Sequence, residues 1–237
     1  MQIYHRQEDE FSIHVSAIMS GLMVVFLFVA ITYIQNVRIE NVEAKDIVDN
    51  FAAVKEEIVE SIKIEFLNEF GVWNALMDPS TLSFQFNSPE ILFKKGSSEL
   101  SPRFKEVLID FFPRYIEILK NEVYQDYIYA IQIEGHTSSE WDRKSMGLSA
   151  YIKNMELSQL RSSKVLEFVL RMEDIGNTDI WTRNRISSIG YSSSKLKYKQ
   201  FGQQVIEDES GSRRVSFRIL TDAELRLDQI SNPNPNI

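Results

Sequence analysis

The run VSAIMSGLMVVFLFVAI, residues 15–31, lies within a stretch from Phe11 to Val37 that contains no Asp, Glu, Lys or Arg. About 20 apolar residues, each rising about 1.5 Å in a helix, are enough to cross the hydrocarbon core of a bilayer. A core helix of a soluble protein would instead be amphipathic, with charged residues along one face. The sequence therefore predicts one transmembrane helix over residues 11–37.

The segment before this helix, residues 1–10, argues against a cleaved signal peptide. It contains Arg6 but also three acids. A signal peptide has a basic start, an apolar core of about 7–15 residues and a cleavage site of small residues. We therefore expect an uncleaved anchor. Arg6 and Arg38 lie on opposite flanks of the helix, so flanking charge hardly decides its orientation.

Composition narrows the function classes of the whole chain. Its 237 residues are 43% apolar and 25% charged, with a net charge of −8 and no cysteine. A net negative chain is a poor partner for nucleic acid, whose binding proteins present basic faces. The lack of cysteine excludes disulfides, thiol nucleophiles and cysteine-ligated metals, and it fits an oxidising compartment. The three histidines lie too far apart in sequence for a local zinc motif.

A helical stalk is predicted over residues 38–80. An apolar stripe with spacings of three and four, which is typical of a helix, runs between charged residues. The stripe consists of Ile47, Phe51, Val54, Ile58, Ile62 and Phe66. It could pack on its own domain, or it could pair with the same stripe of a second copy. Gly71 and the pair Asp78-Pro79 are expected to end the helix.

From Thr81 onward, strand patterns alternate with helix patterns. Period-two or apolar runs predict strands at residues 82–86, 128–133, 186–190 and 215–219. Ser101-Pro102 is typical of a helix start. A longer helix is predicted over residues 154–172, with a buried face that consists of Leu157, Leu160, Val165, Phe168 and Val169. The alternation predicts an α/β sandwich, one sheet with helices on one side.

Two segments of the C-terminal part carry no strand or helix pattern. Residues 191–211 are rich in Ser, Lys and Gln, and we predict a loop there. The end of the chain contains Asn-Pro-Asn-Pro, and residues 225–237 are predicted to be a disordered tail. The folded domain is therefore expected to cover residues 81–224.

Two stretches combine polar side chains in an unusual way. IEGHTSS, residues 133–139, ends a predicted strand, and NMELSQLR, residues 154–161, opens the predicted helix. A strand end that faces a helix N-terminus suits an anionic ligand, because free backbone N–H groups point outward there. Arg161 could add a bidentate carboxylate clamp. From the residues alone, however, a lone arginine on a helix is more commonly a solvated charge.

Four motifs occur together along this part of the chain. They are ILFKKGSSEL at residues 91–100, IQIEGHT at 131–137, NMELSQLR at 154–161 and RRVSF at 213–217. In combination and in order they resemble the OmpA-like peptidoglycan-binding domain, over about residues 82–222. The resemblance implies a βαβαββ-type fold that binds the carboxylate and amine of diaminopimelate in the wall peptide. It implies that Asn154, Leu157 and Arg161 belong to this site, with Arg161 as the carboxylate clamp.

The acidic half of the implied site departs from the family. The family commonly has an acid after Gly-His-Thr to pair with the ligand's ammonium, and this chain has Ser138. The resemblance therefore implies a site at Thr137 and Ser138 in one of two forms. Either Ser138 does a weaker job, or Glu140 or Asp142 supplies the acid.

A single N-terminal span followed by an OmpA-like domain resembles MotB, the stator subunit of the flagellar motor. GHTSSEW at residues 135–141 and MSGLMVVFLF at 19–28 resemble more closely the MotB-like subunits of Zorya anti-phage defence systems. This resemblance implies a bacterial inner-membrane protein with a cytoplasmic N-terminus and a periplasmic domain bound to peptidoglycan. It implies two copies of the chain, a dimer, inside a ring of five MotA-like (ZorA-like) subunits. We expect no enzymatic activity, no cofactor, no metal and no nucleic acid partner.

The span lacks the ion carrier that the resemblance implies. The MotB-like motif reads roughly (Ala/Ser)-Asp-(Phe/Leu)-Met-(Thr/Ser), and its Asp carries the ion; here residues 16–20 read SAIMS, with Ala17 in that place. Alanine cannot bind a proton. His14 could titrate one turn earlier, although a histidine near a helix end is more commonly an interfacial anchor. We expect a non-conducting form, either through an engineered change, which we favour, or as a natural relative without the usual conduction. A flagellar MotB-like stator and a passive cell-wall tether are the alternative functions.

Overall fold

The computed structural model describes residues 2–87, 89–94, 96–142, 147–176 and 179–222, without the side chains of residues 2–17, 36–51, 89, 90, 174 and 176. The predictions that concern the side chains of His14, Ala17, Ile47 and Phe51, and those on the tail, lie outside the described residues. The chain divides into two compact units, residues 1–50 and residues 51–237.

The first unit belongs to helix α1, which spans Gln2–Glu65 and ends in the second unit. Within the first unit, Ile18–Gln35 is long and apolar enough to cross a membrane, and none of it is buried inside the protein. This segment lies inside the predicted span. Its large side chains, such as Met23 and Phe28, are 74% and 66% exposed, so lipid or other helices would have to remove them from water.

The second unit contains the end of α1, further helices and two sheets. The helices are α2 (Glu69–Trp73), α3 (Pro89–Leu92), α4 (Pro102–Leu119), α5 (Leu148–Leu170), α6 (Glu173–Gly176), α7 (Ile180–Arg185) and α8 (Glu209–Ser212). The strands are β1 (Ala75–Asp78), β2 (Ser83–Phe86), β3 (Ile128–Gly135), β4 (Ile186–Gly190), β5 (Tyr198–Phe201), β6 (Gln204–Glu207) and β7 (Val215–Thr221).

The larger sheet has five strands in the order β1-β2-β7-β3-β4. Its neighbouring strands are antiparallel except β3 and β4, which are parallel and are connected through the segment that contains α5. The last of the described strands, β7, therefore lies at the centre of the sheet. Strands β5 and β6 form a separate antiparallel pair. The predicted α/β architecture, an apolar helix followed by further helices and a mixed-sheet domain, is confirmed.

Alternation along the strands separates an apolar face from a polar face. Phe84, Phe86 and Phe217 are fully buried on the helix-covered face, where the ring of Phe111 in α4 lies 4.6–5.1 Å from all three rings. The end of α1, α4 and α5 contribute side chains to this one core. On β2, Ser83 and Gln85 alternate with the phenylalanines and therefore face the other side of the sheet.

The end of α1 resolves the two interpretations of the apolar stripe. The four stripe residues from Val54 to Phe66 are at most 9% exposed and belong to the core of the second unit. Arg114 of α4 fixes the last turn, with Nε 2.6 Å from a Glu65 carboxylate oxygen and the guanidinium 4.7 Å from the centre of the Phe66 ring. This part of the stripe packs on its own domain. Together with β1, it places part of the predicted stalk within the compact unit that begins at Phe51.

Helix α5 begins at Leu148, and the predicted start at Asn154 was wrong. The first turns of the helix, before Asn154, have no apolar stripe that would reveal them in the sequence. Leu148 and Ile152 are 73% and 58% exposed, and the residue buried in these turns is the small Ala150. Asn154 therefore lies almost two turns inside the helix, and its neighbourhood has no free N-terminal N–H groups.

The predicted loop at residues 191–211 contains the β5–β6 hairpin, with a turn at Gly202, where φ is 62°. The two strands could not be predicted from the sequence, because β5 is exposed along its whole length and β6 is partly buried only at Glu207. A strand without a buried face has no reason to alternate apolar and polar residues. By contrast, the predicted start of α4 is confirmed, since the Ser101 hydroxyl accepts a hydrogen bond from the Phe104 N–H at 3.0 Å.

Candidate functional site

The loop that follows β3 is anchored on both sides by backbone hydrogen bonds. The His136 N–H donates to the Arg214 carbonyl at 3.0 Å, and the Thr137 N–H donates to the Ser192 carbonyl at 2.9 Å. The His136 ring stacks on Tyr191, with ring centres 5.2 Å apart. These contacts bury His136 and Thr137, each 3% exposed, and give the loop a fixed shape.

Helix α5 packs on the sheet by direct backbone contact. A Cβ atom on Gly135 would lie 2.2 Å from the Ser158 carbonyl oxygen, and one on Gly190 would lie 2.5 Å from the Gln159 nitrogen. Only glycine fits at these two strand ends. The buried face predicted for the helix was partly wrong for the same reason. Leu160 is 47% exposed, and the small residue Ser158 faces the sheet instead.

Ser192 joins this loop to the helix. Its N–H donates to the Ser158 hydroxyl at 3.0 Å, and its hydroxyl donates to the Tyr151 carbonyl at 2.7 Å. Its φ of 52° is in the left-handed region, which a non-glycine residue adopts at a cost. Sequence reasoning missed this residue, because a serine two positions after a strand carries no distinctive signal.

Asn154 holds the segment beyond the loop. Its Nδ2 donates to the carbonyl oxygens of Ser138 at 3.1 Å and Glu140 at 3.2 Å, and the residue is 2% exposed. An amide nitrogen has two hydrogens, so these two bonds use its full donor capacity. Asn154 therefore positions the backbone at residues 138–140.

Arg161 lies two turns further along α5 and is 8% exposed. Its Nε donates to the Ser97 carbonyl at 3.0 Å, and its guanidinium lies over the Phe93 ring, 4.7 Å from the ring centre. Among the described residues no carboxylate pairs with it, and the charge that acts on it comes from Arg213. Burial, together with Arg213, lowers the pKa of Arg161 to about 10.

The surroundings of Arg161 favour an anionic ligand. A buried charge costs free energy unless an opposite charge or several hydrogen bonds compensate it. Here the Ser97 carbonyl takes one of the five guanidinium N–H groups, and the neighbouring cation adds repulsion. A ligand carboxylate can accept two parallel hydrogen bonds from the two terminal nitrogens of such a group. The arrangement is suited to binding a carboxylate.

The predicted site residues fall at two places along α5. Asn154 and Arg161 are seven residues apart in sequence, which is about 10 Å along a helix axis. Asn154 contacts the loop after β3, whereas Arg161 contacts Ser97 in the segment between α3 and α4. Leu157 lies between them and is half-buried. Thr137 and Ser138 are therefore close to Asn154, and the structure gives no contact between them and Arg161.

The structure brings a further acid to the loop after β3, beside the residues expected from the sequence. Ser138 is 4% exposed, so it offers little side-chain surface to a ligand, and Glu140 and Asp142 are exposed. The structure adds Glu207 of β6. One of its carboxylate oxygens accepts the Ser139 N–H at 3.0 Å, and the other accepts the Ser139 hydroxyl. No sequence signal links Glu207 to this loop, because Glu207 and Ser139 are 68 positions apart in the chain.

Comparison with known proteins places these features in context. No model of a known protein family matches the chain. A MotB-like protein from Desulfovibrio vulgaris is 20% identical, with 71% of this chain and 96% of that chain covered and a TM-score of 0.46. The periplasmic domain of Helicobacter pylori MotB is 17% identical, with 65% and 87% covered and a TM-score of 0.40.

A curated relative is much more similar. The Zorya protein ZorB of Escherichia coli is 39% identical over 224 residues, which cover 94% of this chain and 93% of that protein. Because the match covers 94% of this chain, it includes both the apolar part of α1 and the sheet domain. At this identity, across nearly the full length of both proteins, the chain belongs to the Zorya ZorB family.

Proposed function

We propose that this chain is the peptidoglycan-anchored subunit of a MotA/MotB-like, ion-driven inner-membrane motor that acts in anti-phage defence. Family membership supports the defence role, because the relative is a Zorya protein. The apolar segment Ile18–Gln35 supports a single membrane span. The observation that carries wall binding is Arg161, a buried guanidinium with a second arginine and, among the described residues, no carboxylate beside it.

In this proposal the N-terminus is cytoplasmic and the sheet domain is periplasmic, where the wall peptide is found. Two copies of the chain stand inside a ring of five ZorA-like subunits. The exposed apolar side chains of Ile18–Gln35 support this arrangement, because a helix that is apolar on all sides needs lipid or other helices around it. Pairing between copies then depends on the span more than on the stripe from Val54 to Phe66, which is used within its own domain.

The wall peptide contributes a carboxylate to Arg161, beside Leu157, while Asn154 and Thr137 keep the neighbouring loop in place. The ligand's ammonium pairs with an acid at the same loop. We favour Glu207 over Glu140 and Asp142, because Ser139 already fixes its carboxylate. Two hydrogen bonds leave further lone pairs on a carboxylate free to accept an ammonium.

Pull-down of the purified full chain on peptidoglycan tests the wall-binding site. A hydrogen bond to a charged group is worth about 1.5–3 kcal/mol, so Arg161→Ala should weaken binding at least about tenfold. Arg171→Ala is the matched control, since Arg171 follows the same helix, its side chain is 76% exposed and it pairs with Glu167 at the surface. If a folded Arg161→Ala variant binds the wall like the control, the site assignment is wrong.

The ion-carrier position explains why we propose that this form does not conduct. A carboxylate at mid-membrane costs about 2.5–3.5 kcal/mol on insertion scales, so a span retains one only where a polar path compensates the cost. Ala17→Asp should restore proton or sodium flux in vesicles that hold both subunits, and also protection against phage. His14→Ala in the Ala17 background should change neither. Background flux with Ala17→Asp, combined with altered function in His14→Ala, would support the passive tether instead.

A further inference from the structure

The β5–β6 hairpin stands apart from the five-stranded sheet. Its two strands pair with each other and, within the described part of the chain, with no third strand. Tyr198, Phe201 and Val205 are 63%, 72% and 72% exposed, so both faces of the hairpin meet solvent. A two-stranded hairpin is only marginally stable by itself in water, and three or more strands are normally needed. The hairpin therefore gains stability if another strand joins it.

The hydrogen bonds of the hairpin determine which backbone groups point outward. The Asp208 N–H donates to the Lys197 carbonyl at 2.8 Å, so these two residues form a hydrogen-bonded pair. Such pairs alternate with non-hydrogen-bonded pairs along an antiparallel ladder. Ile206 therefore points its N–H and C=O toward β5, whereas Val205 and Glu207 point theirs toward the open edge of β6. This edge faces solvent and has the geometry to receive a strand.

The two edges of the hairpin differ in how they are protected. An open edge is a template for pairing with another chain, and proteins normally block it with charged side chains, proline or a bulge. Strand β5 follows this rule, because Lys199 lies within it and Lys197 directly precedes it. The edge of β6 does not. The run QFGQQVI, residues 200–206, contains no charge and no proline, although 25% of the whole chain is charged. The composition of β6 therefore permits pairing that β5 resists.

Charge favours a second copy of the chain as the strand that pairs with β6. The whole chain carries a net charge of −8, so two copies repel each other over most of their surface. The hairpin and its flanks, residues 197–208, contain two lysines, one glutamate and one aspartate, so their formal charges cancel. Two copies can therefore meet at this surface without net repulsion.

We infer that β6 of one copy pairs antiparallel with β6 of a second copy, with Val205 facing Val205 on the two-fold axis. The two copies come from the proposed function, on which this pairing rests. Outward-pointing residues must face each other, so the axis can pass through Val205, Ile206 or Glu207. An axis at Glu207 places two carboxylates opposite each other, which is destabilising. An axis at Ile206 places Val205 opposite Glu207. The axis at Val205 instead pairs two valines and places Gln203 opposite Glu207.

The pairing creates a four-stranded sheet in the order β5-β6-β6-β5. Four residues on each side are far fewer than a standard interface uses, which buries about 800 Å² on each partner. The contact is sufficient only because the membrane-spanning helices already hold the two copies together and so raise the effective concentration of one domain near the other. Glu207 belongs to β6, so the pairing also fixes the strand that carries the proposed acid of the wall-binding site.

Disulfide crosslinking in membranes that contain the full chain and its ZorA-like partner tests the inference. The chain has no cysteine, so a single introduced cysteine in one copy can pair with the same residue of the other. Across a hydrogen-bonded pair the Cα atoms are about 5.5 Å apart, which is within the range of about 4.4–6.8 Å for a disulfide. Val205→Cys should therefore form a crosslinked dimer on mild oxidation. Val205 is exposed, so the substitution leaves the core intact.

Gln200→Cys is the matched control. Gln200 lies opposite Val205 on β5 and is also exposed, but its equivalent in the second copy is three strand spacings away, about 14 Å. Val205→Cys should crosslink at least tenfold faster than Gln200→Cys. Equal rates, no dimer with Val205→Cys, or a crosslink to a protein of another mass overturns the inference.

The number of copies in the purified complex, measured by its mass, separates this inference from the proposed function. Two copies without a Val205→Cys crosslink overturn the strand pairing and leave the proposed motor standing. A single copy overturns the pairing and also contradicts the proposed arrangement of two copies in a ring.

Discussion

Gly135→Ala adds a methyl group where the end of β3 and the backbone of α5 lie in direct contact. The added methyl group would lie 2.2 Å from the Ser158 carbonyl oxygen, whereas an ordinary contact is 3.4–4 Å. Both sides of this contact are backbone, so no side chain can rotate out of the way. Relief requires α5 to move away from the strand end by about 1.2 Å, the difference between the two distances.

The expected loss of stability follows from this geometry. Overpacking a core costs about 1–3 kcal/mol, and a backbone clash belongs at the upper end of that range. Alanine also restricts the unfolded chain, which offsets about 0.4–1 kcal/mol. The net loss of about 2 kcal/mol should lower the melting temperature by roughly 4–8 °C for a domain of this size. Since Asn154 moves with α5, peptidoglycan binding should weaken as well.

Thermal unfolding of the full chain in detergent, followed by tryptophan fluorescence, measures this effect. Gly71→Ala is the control, because a Cβ at Gly71 meets nothing within 4 Å and the residue lies inside α2. The same substitution there should raise stability by up to about 1 kcal/mol. The two variants are therefore expected to shift the melting temperature in opposite directions. A Gly135→Ala protein that melts at or above the wild-type temperature would refute the direct packing of α5 on the sheet.

Three further predictions concern the core, the buried histidine and the loop acid. Phe111→Ala should cost about 3–5 kcal/mol in the same assay, because the ring is fully buried among other aromatic rings; a loss below about 1 kcal/mol would contradict that core. Burial lowers the pKa of His136 from its ordinary value of 6.5, so the unfolded state takes up a proton first as the pH falls. Stability should therefore decrease below pH 6.5. His136→Gln should flatten this slope, and a gain of stability on acidification would rule the effect out. Glu207→Gln should reduce retention on peptidoglycan more than Glu140→Gln does, and the reverse order would place the acid on the loop itself.

Strands with several residues on one buried face were predictable from sequence. Strand β1, which buries only Met77, fell within the predicted helical stalk, and the exposed strands of the hairpin fell within the predicted loop. The alternation at residues 82–86 and 215–219 exists because phenylalanines on one side enter the core, and it identified β2 and β7. Strands β5 and β6 have no buried face, so their sequences do not need to alternate apolar and polar residues. The apolar stripe of α1 shows the other limit. A stripe indicates that a face is covered, and it cannot say whether the same chain or a second copy covers it.

The site shows a similar division. Resemblance to a family motif predicts Arg161 and Asn154 as site residues, whereas the residues alone favour a solvated arginine. Arg161 is distinctive because its Nε donates to the Ser97 carbonyl and because it is buried beside Arg213. Ser97 and Arg213 are 64 and 52 positions away from Arg161 in the chain. Contacts over such separations have no local sequence signature. The same holds for Glu207, whose partner Ser139 lies in the loop after β3.

The central position of β7 has a consequence for how the domain is made. Among the described strands it is the last one to be synthesised, yet it joins β2 on one side to β3 on the other. A nascent chain that ends before Val215 lacks the strand that joins the pair β1-β2 to the pair β3-β4, so both pairs have exposed edges. The five-stranded sheet can therefore be completed only after Val215–Thr221 has left the ribosome. Contacts between residues so distant in sequence form slowly, so the unfinished domain remains open to proteases and aggregation throughout its synthesis.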